Sequence, residues 1–270
     1  MKKAVMFAGL SIFSLGLVAC SNNSDSGETK DSSKAEVIKQ TSNDLSKKEV
    51  LQKMSEASEK LTSAEITSNI TSSMTMNDQT TDTKATSVVQ YILDPFVMKT
   101  ETEDSASGQK IVTYMDDKNS YMQIPGSDQW QTYELSSMGI DVASQMEKVN
   151  SSDILKELDR FTEDMKLEKQ DNTYILSYEG KGDALKDIVA AEASSGDSET
   201  DLEAASEGLD VNTFNYQMVI DDKTFNPISY ELEMDYVISS EALEMKMKQQ
   251  HEATFDKINE IKEIKLPDVE

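Results

Sequence analysis

The stretch that decides the fold is Ile228–Ile238, with the sequence ISYELEMDYVI. Apolar residues alternate with polar or acidic ones at a period of two, which is typical of a β-strand with one buried and one solvated face. Tyr216–Ile220 precedes it, before a turn at Asp221-Asp222, and Leu243–Met247 follows with the same alternation. The three segments predict an antiparallel meander covered on one side. The apolar face of its middle strand is predicted to contain Ile228, Tyr230, Leu232, Met234, Tyr236 and Ile238.

The first half of the chain repeats this two-residue period. Residues 66–76 form a predicted strand whose apolar side begins at Ile66 and ends at Met74 and Met76, with Ser68 and Ser72 in phase. Turn residues such as Asp94-Pro95 separate further short strands from one another. These strands are predicted at Ser87–Leu93, Phe96–Thr102, Gln109–Met115, Ser120–Ile124, Trp130–Leu135, Met165–Lys169 and Tyr174–Tyr178.

Helical signals accompany the strands. Ser46-Lys47-Lys48-Glu49 is a capping box, in which the serine and glutamate side chains satisfy each other's backbone amides, so a helix is predicted to begin there. Apolar residues at helical spacing also predict helices at 142–161, with a break at 150–153, and at 185–189. The stripe of the first helix is Val50, Leu51, Met54, Ala57 and Leu61. Together the patterns predict an α+β fold with a few helices.

The N-terminus is typical of an exported lipoprotein. Two lysines precede an apolar run, Ala4–Ala19, whose 16 residues are fewer than the ~20 that a membrane-spanning helix needs. The run ends in Leu17-Val18-Ala19-Cys20, a lipobox, so residues 1–19 are predicted to be a signal peptide cleaved between Ala19 and Cys20. The alternative is an ordinary secretory signal with an incidental cysteine. Lipidation of Cys20, the only cysteine, predicts a protein anchored to the cell membrane and facing outward.

Composition limits the partners of the mature chain. Removal of Lys2 and Lys3 leaves 24 basic and 51 acidic residues, and 24 − 51 gives a formal charge of −27. Such a charge repels phosphate, so we expect no nucleic-acid partner. Residues 20–44 contain the lipidated cysteine and a polar segment too poor in apolar residues to fold, which predicts a flexible tether. Residues 45–270 are predicted to form one domain, with a mobile acidic loop at about 192–210.

The arrangement of these segments resembles a group of uncharacterised surface lipoproteins of Gram-positive bacteria. The resemblance rests on the lipobox, the tether, the capped helix, the Tyr121–Gly126 segment leading to Trp130, and the Asp221–Pro227 turn. Those proteins are similar in architecture to the LolA and LppX carriers. The resemblance implies a half-barrel: a curved antiparallel sheet wrapped around helices, enclosing an apolar cavity, over roughly residues 45–265. The acidic segment looks like an insertion into it.

Motifs for catalysis or metal binding are weak, and we expect neither an enzyme nor a cofactor. His251 has no second histidine and no free thiol to complete a metal site or a triad, so it is interpreted as a strand residue. Ser107-Gly108-Gln109-Lys110 fits Ser-x-x-Lys, but it falls in a predicted turn rather than at a helix start. The acidic residues between Asp197 and Glu203 lack the glycine and bidentate glutamate of an EF-hand loop.

Methionine in the predicted strands provides the functional hypothesis. Unbranched, polarizable methionine side chains adapt to irregular apolar ligands, although they also fill ordinary cores. We therefore expect a domain that binds or carries a hydrophobic, lipid-like ligand. The alternatives are a protein-interaction module of the cell envelope, an enzyme, and a peptide signal released as Ser11–Ala19. The candidate ligand-binding residues are Met74, Met76, Met218, Tyr230, Met234, Met245 and Met247.

Overall fold

A computed structural model describes residues 45–123, 127, 129–138, 163–182, 185, 186, 189, 208–240 and 243–269. The predicted signal peptide, Cys20 and the tether lie outside the described residues, as do the predicted helices at 142–161 and most of the acidic segment. The described part is mostly one large, curved antiparallel sheet of eleven strands with one α-helix. The predicted α+β class with a curved antiparallel sheet is therefore confirmed for this part of the chain.

The sheet consists of two meanders joined by the pairing of the first and last strands. Its strand order is β6-β5-β4-β3-β2-β1-β11-β10-β9-β8-β7, and every pair is antiparallel. The strands are β1 (Ser63–Met76), β2 (Gln79–Leu93), β3 (Phe96–Asp104), β4 (Lys110–Asp116), β5 (Asn119–Gln123), β6 (Trp130–Glu134), β7 (Lys166–Gln170), β8 (Thr173–Gly180), β9 (Leu209–Asp221), β10 (Pro227–Ser240) and β11 (Leu243–Asp256). A 3₁₀ turn, Leu135–Met138, follows β6.

Helix α1 (Lys47–Ser58) begins at the predicted capping box. The backbone amide of Glu49 donates to Ser46 Oγ at 3.3 Å, and the amide of Ser46 donates to Glu49 Oε2 at 2.8 Å. Val50 is 0% exposed and Met54 is 2% exposed, and burial of two such side chains contributes roughly 3–6 kcal/mol. Lys47 Nζ donates to the carbonyls of Glu163 and Met165, which holds the start of α1 near β7.

The face of the sheet that contacts α1 is called the inner face here. Directly paired residues of adjacent antiparallel strands point to the same side of the sheet. The strand pairings therefore place Tyr230 of β10, Ile66 of β1 and Val89 of β2 on the inner face. The helix covers the half formed by β7–β11. The buried cluster under it is formed by residues such as Val50, Met54, Leu176, Phe214, Tyr216, Met218, Ile220, Tyr230, Leu232, Met234 and Tyr236.

Three of the differences between the observed and the predicted strands have a clear physical reason. β2 begins at Gln79, eight residues before the predicted start, because the polar residues that precede Ser87 pair with the end of β1. β9 begins at Leu209, inside the predicted acidic loop, since Leu209 is 2% exposed and belongs to the core. Ile228 was expected on the inner face with Tyr230, and this was wrong: a register shift between Pro227 and Ser229 leaves Ile228 39% exposed.

Candidate functional site

Charge divides the two faces of the sheet. The outer face of β10 and β11 carries Glu231, Glu233, Lys246 and Lys248, among others. On the inner face, the described strand positions bear only two charged side chains. These are Lys169 in β7 and Asp104 at the end of β3, and both lie away from the centre of the sheet. Apart from these two positions, the inner face is an uncharged surface formed mostly by apolar and hydroxyl-bearing side chains, together with Gln79, Gln131, Gln249 and His251.

Four of the predicted ligand residues come together where the end of β1 lies beside the start of β11. Met74 pairs directly with Met247, and Met76 pairs directly with Met245. Paired side chains of this kind lie about 4.5–5.5 Å apart at Cβ. Met76 is 38% exposed and the other three are half-buried. We call these four residues the methionine quartet; they form an apolar patch that the described residues cover only in part.

The other three predicted ligand residues lie in the filled core. Met218, Tyr230 and Met234 are 1%, 2% and 3% exposed, and they belong to the buried cluster that contains Val50 and Met54 of α1. The Tyr230 ring packs against Phe255 at 6.1 Å between centroids. The structure thus separates the seven candidates into a partly open quartet and a buried group that supports the sheet beneath the helix.

A set of buried and half-buried hydroxyl groups on the inner face was not selected from the sequence. Ser68 pairs with Ser87, and Ser87 Oγ lies 3.4 Å from Thr102 Oγ1 on the next strand. Thr100, 4% exposed, has a buried hydroxyl without a hydrogen-bond partner among the described residues. Tyr91 is on the same face, and burial raises the pKa of its hydroxyl to about 12. We call Ser68, Ser87, Thr100 and Thr102 the hydroxyl row. In the sequence, the only signal that these residues face inward is that they alternate on the same side of their strands as Ile66 and Val89.

The single histidine lies in β11 on the inner face. His251 is 7% exposed and packs edge-on against Tyr230, with 5.2 Å between ring centroids. Burial lowers the pKa of His251 to about 4, so the imidazole is neutral at pH 7. Within the described residues, no group of three or more histidine, cysteine or acidic side chains is placed to hold a metal ion.

The Ser-x-x-Lys sequence occupies the turn between β3 and β4. The backbone amide and the hydroxyl of Ser107 both donate to Asp104 Oδ1 at 2.6 Å, and Gly108 has a positive φ of 65°. Lys110 pairs with Glu101 on the outer face. Serine and lysine therefore serve separate structural contacts, and the geometry does not bring the lysine amine to the serine oxygen.

Residues 46–269 match the model of a family of unknown function (DUF6612). The chain belongs to this family. A comparison with curated proteins gives no match to this DUF6612 chain. No helix in the part of the chain that the structure describes combines the length and the apolar character needed to cross a bilayer.

Among the solved structures that share similarity with this DUF6612 chain are two bacterial proteins. The lipoprotein LppX of Mycobacterium tuberculosis is 11% identical, and the match covers 80% of this chain and 97% of that chain at a TM-score of 0.40. A LolA superfamily protein of Nitrosomonas europaea is also 11% identical, with 83% and 96% covered and a TM-score of 0.23. These are the two types of protein that the sequence resemblance names.

Tyr121 and Trp130, two of the aromatic residues that contributed to the resemblance, lie on the outer face of this DUF6612 chain. The Tyr121 hydroxyl donates to Asp116 Oδ2 at 2.7 Å, and Trp130 packs edge-on against Tyr114 with 5.3 Å between centroids. Lys99 Nζ lies 5.8 Å from the Tyr114 ring centroid. These contacts hold β4, β5 and β6 together from the side opposite the methionine quartet, so they support the sheet rather than line the candidate site.

Proposed function

We propose that this protein is a lipid-anchored, extracytoplasmic lipoprotein that holds a hydrophobic, lipid-like molecule on the inner face of its sheet. The observation that supports the proposal is the methionine quartet. Met74 and Met76 of β1 pair with Met247 and Met245 of β11, and all four are only partly covered, although Tyr230 and Met234 of the same face are fully buried. The molecule would bind over the quartet and extend towards β2 and β3.

Apolar surface left in water is unfavourable by about 25 cal/mol per Å², and a contiguous patch of it commonly marks a binding site. Methionine suits a ligand of variable shape, because its unbranched thioether adopts several rotamers at little cost. The register supports a continuous patch: Tyr236 pairs with Met247, and Ile238 pairs with Met245. The quartet therefore joins the filled core on one side and the half-covered strands β1–β5 on the other.

The anchor is the second part of the proposal. Acyl chains on Cys20 would hold the protein at the outer surface of the cell membrane, and two or three such chains bind durably. The tether that follows has roughly 22 residues, which gives a root-mean-square reach of about 25 Å for a flexible chain. The domain would therefore sit close to a membrane, where lipid-like ligands are present.

The test is lipid uptake by the mature chain beginning at Ser21, which lacks only the anchored cysteine. The protein is incubated with vesicles containing a radiolabelled diacylglycerol and a radiolabelled fatty acid, reisolated, and counted. We expect lipid to copurify with the wild type and to be lost from a Met74→Gln/Met247→Gln variant. The matched control is Ser73→Gln/Lys248→Gln, which places the same residues at the neighbouring pair on the outer face. Wild-type protein that takes up no lipid would contradict the proposal.

The alternative, a protein-interaction module, is favoured by one observation at the sheet edge. In the described part of the sheet, β6 is an edge strand whose Gln131, Thr132, Tyr133 and Glu134 are exposed and include one charge. The opposite edge, β7, carries lysine and glutamate, which discourage pairing with another strand. Photo-crosslinking in cells from position 132 would support this function if one partner protein dominated. Crosslinking from position 168 in β7 serves as the control.

A further inference from the structure

We infer that the bound molecule is an uncharged lipid that carries a hydroxyl or ester group, such as a diacylglycerol, and not a fatty acid or a phospholipid. Its polar group would lie at the hydroxyl row and its acyl chain at the methionine quartet. This inference rests on the proposed function and specifies its ligand. It follows from the charge of the inner face, an unpartnered hydroxyl, and the spacing of the two features along β1.

The described strands place no cation beside the site that could compensate an anionic headgroup. A carboxylate or phosphate removed from water is strongly unfavourable unless a cation compensates it. Lys169, the cation that the described strands place on the inner face, is five strands from β1, about 24 Å at ~4.8 Å per strand. Its ammonium group already contacts Asp222 and the Tyr174 ring. No cation of the described strands therefore reaches a ligand that lies over β1 and β11.

The groups nearest the site select further against anions. Asp104 follows Thr102 on β3 and faces the same side, and its carboxylate would repel an anionic headgroup. Hydrogen bonds from Ser107 keep the pKa of Asp104 below its ordinary value, so it is ionised. His251, next to Ile70 on β1, is neutral because it is buried, and it offers no positive charge.

The hydroxyl row contains a buried hydroxyl group that lacks a hydrogen-bond partner among the described residues. Thr100 is 4% exposed, and its Oγ1 has no hydrogen-bond partner among the described residues. Buried hydroxyl groups are almost always paired, so an unpaired one indicates a partner outside the described chain. Thr100 pairs with Val89, whose other partner is Ile66, so its hydroxyl faces the same side as the quartet. An ester carbonyl would accept from Thr100, and a lipid hydroxyl would either donate or accept there.

The distance between the hydroxyl row and the methionine quartet is comparable to the length of an acyl chain. Ser68 and Met74 are six residues apart on β1 and point to the same face. At ~3.3 Å per residue their separation is about 20 Å along the strand, and Thr100, which is level with Ile66, lies about 7 Å further from Met74 in the same direction. These distances are comparable to the length of an extended long-chain acyl group. Ile70 and Ser72 lie between them on the same face, and neither is charged. One end of the site thus suits a polar neutral group and the other suits hydrocarbon.

The experiment compares lipids that share acyl chains and differ in the headgroup. The mature chain from Ser21 is incubated at pH 7.5 with vesicles containing radiolabelled dioleoylglycerol, dioleoyl phosphatidic acid or oleate, and bound lipid is counted after reisolation. We expect at least about tenfold more dioleoylglycerol than either anion. Equal uptake, or a preference for an anion, would overturn the inference and leave the proposed function standing. Absence of all three lipids would overturn the proposed function itself.

A variant tests where the polar group lies. Thr100→Val keeps the shape of the side chain and removes its hydroxyl, so we expect dioleoylglycerol uptake to fall about tenfold while uptake of octadecane is unchanged. Because the hydroxyl is unpaired, the variant should melt no lower than the wild type. The control is Thr71→Val, which removes an exposed hydroxyl from the outer face of β1. Unchanged dioleoylglycerol uptake by Thr100→Val would overturn the placement of the polar group.

Discussion

The Tyr230 hydroxyl lies 3.2 Å from Nε2 and 3.3 Å from Nδ1 of His251, and both residues are at least nine-tenths buried. Tyr230 pairs directly with Ala253, so its contact with His251 is the diagonal one between β10 and β11. The pair lies between the filled core under α1 and the open half of the inner face. A neutral imidazole fits this position, and an imidazolium ion would lose its hydration there.

Stability should therefore fall when His251 is forced to take up a proton. Burial lowers its folded-state pKa to about 4, whereas an unfolded histidine titrates near its ordinary value of 6.5. Between these values the unfolded chain binds the extra proton, so stability decreases as the pH falls. From pH 7.5 to pH 5 we expect a loss of about 2 kcal/mol in the free energy of unfolding, measured by urea titration.

The control for this prediction is His251→Gln, which removes the titrating group and keeps a polar side chain. Its unfolding free energy should change less than that of the wild type over the same pH range. The two proteins contain the same carboxylates, so carboxylate titration contributes to both; for example, a hydrogen bond from Lys257 lowers the pKa of Glu65, and one from the Thr224 amide lowers that of Asp221. Their contributions are present above about pH 4.5 and are lost only below it. An identical pH response of both proteins would mean that His251 is solvated.

The sequence predicted what depends on local periodicity. The alternation around Met234 and the capping box at Ser46 each depend on neighbouring residues, so the strand β10 and the start of α1 were predicted correctly. The division of the methionines was not predictable, because alternation assigns a side chain to a face and does not show where a helix covers that face. The bulge at Ile228 and the pairing of β1 with β11 also depend on tertiary register.

Replacement of the N-cap of α1 should destabilise the domain. Ser46→Ala removes the acceptor of the Glu49 amide and the hydroxyl that donates to Glu49 Oε2, and such a change typically costs about 1 kcal/mol. Urea denaturation followed by circular dichroism measures it. Ser55→Ala in the interior of the same helix is the control and should be neutral or slightly stabilising, since alanine has the higher helix propensity. Equal effects of the two variants would exclude a specific capping role.

Substitution of Cys20 should abolish anchoring. In cells supplied with radiolabelled palmitate, we expect label in the full-length wild-type protein and none in Cys20→Ser, because serine lacks the thiol that accepts the diacylglyceryl group. The variant should also retain its signal peptide and migrate more slowly on a gel. Ser21→Ala, at the adjacent position, is the control and should be labelled normally. Label in Cys20→Ser would place the acyl group elsewhere.

Two methionine-to-alanine changes should separate the filled core from the open face. Met234 is 3% exposed inside the cluster under α1, and its truncation leaves a cavity that typically costs 2–5 kcal/mol. Met76 is 38% exposed in the methionine quartet, and its truncation should cost less than about 1 kcal/mol. Dioleoylglycerol uptake should show the reverse order, reduced in Met76→Ala and retained by folded Met234→Ala. If Met76→Ala were as destabilising as Met234→Ala, the quartet would be ordinary core, and no open apolar face would remain to receive a lipid.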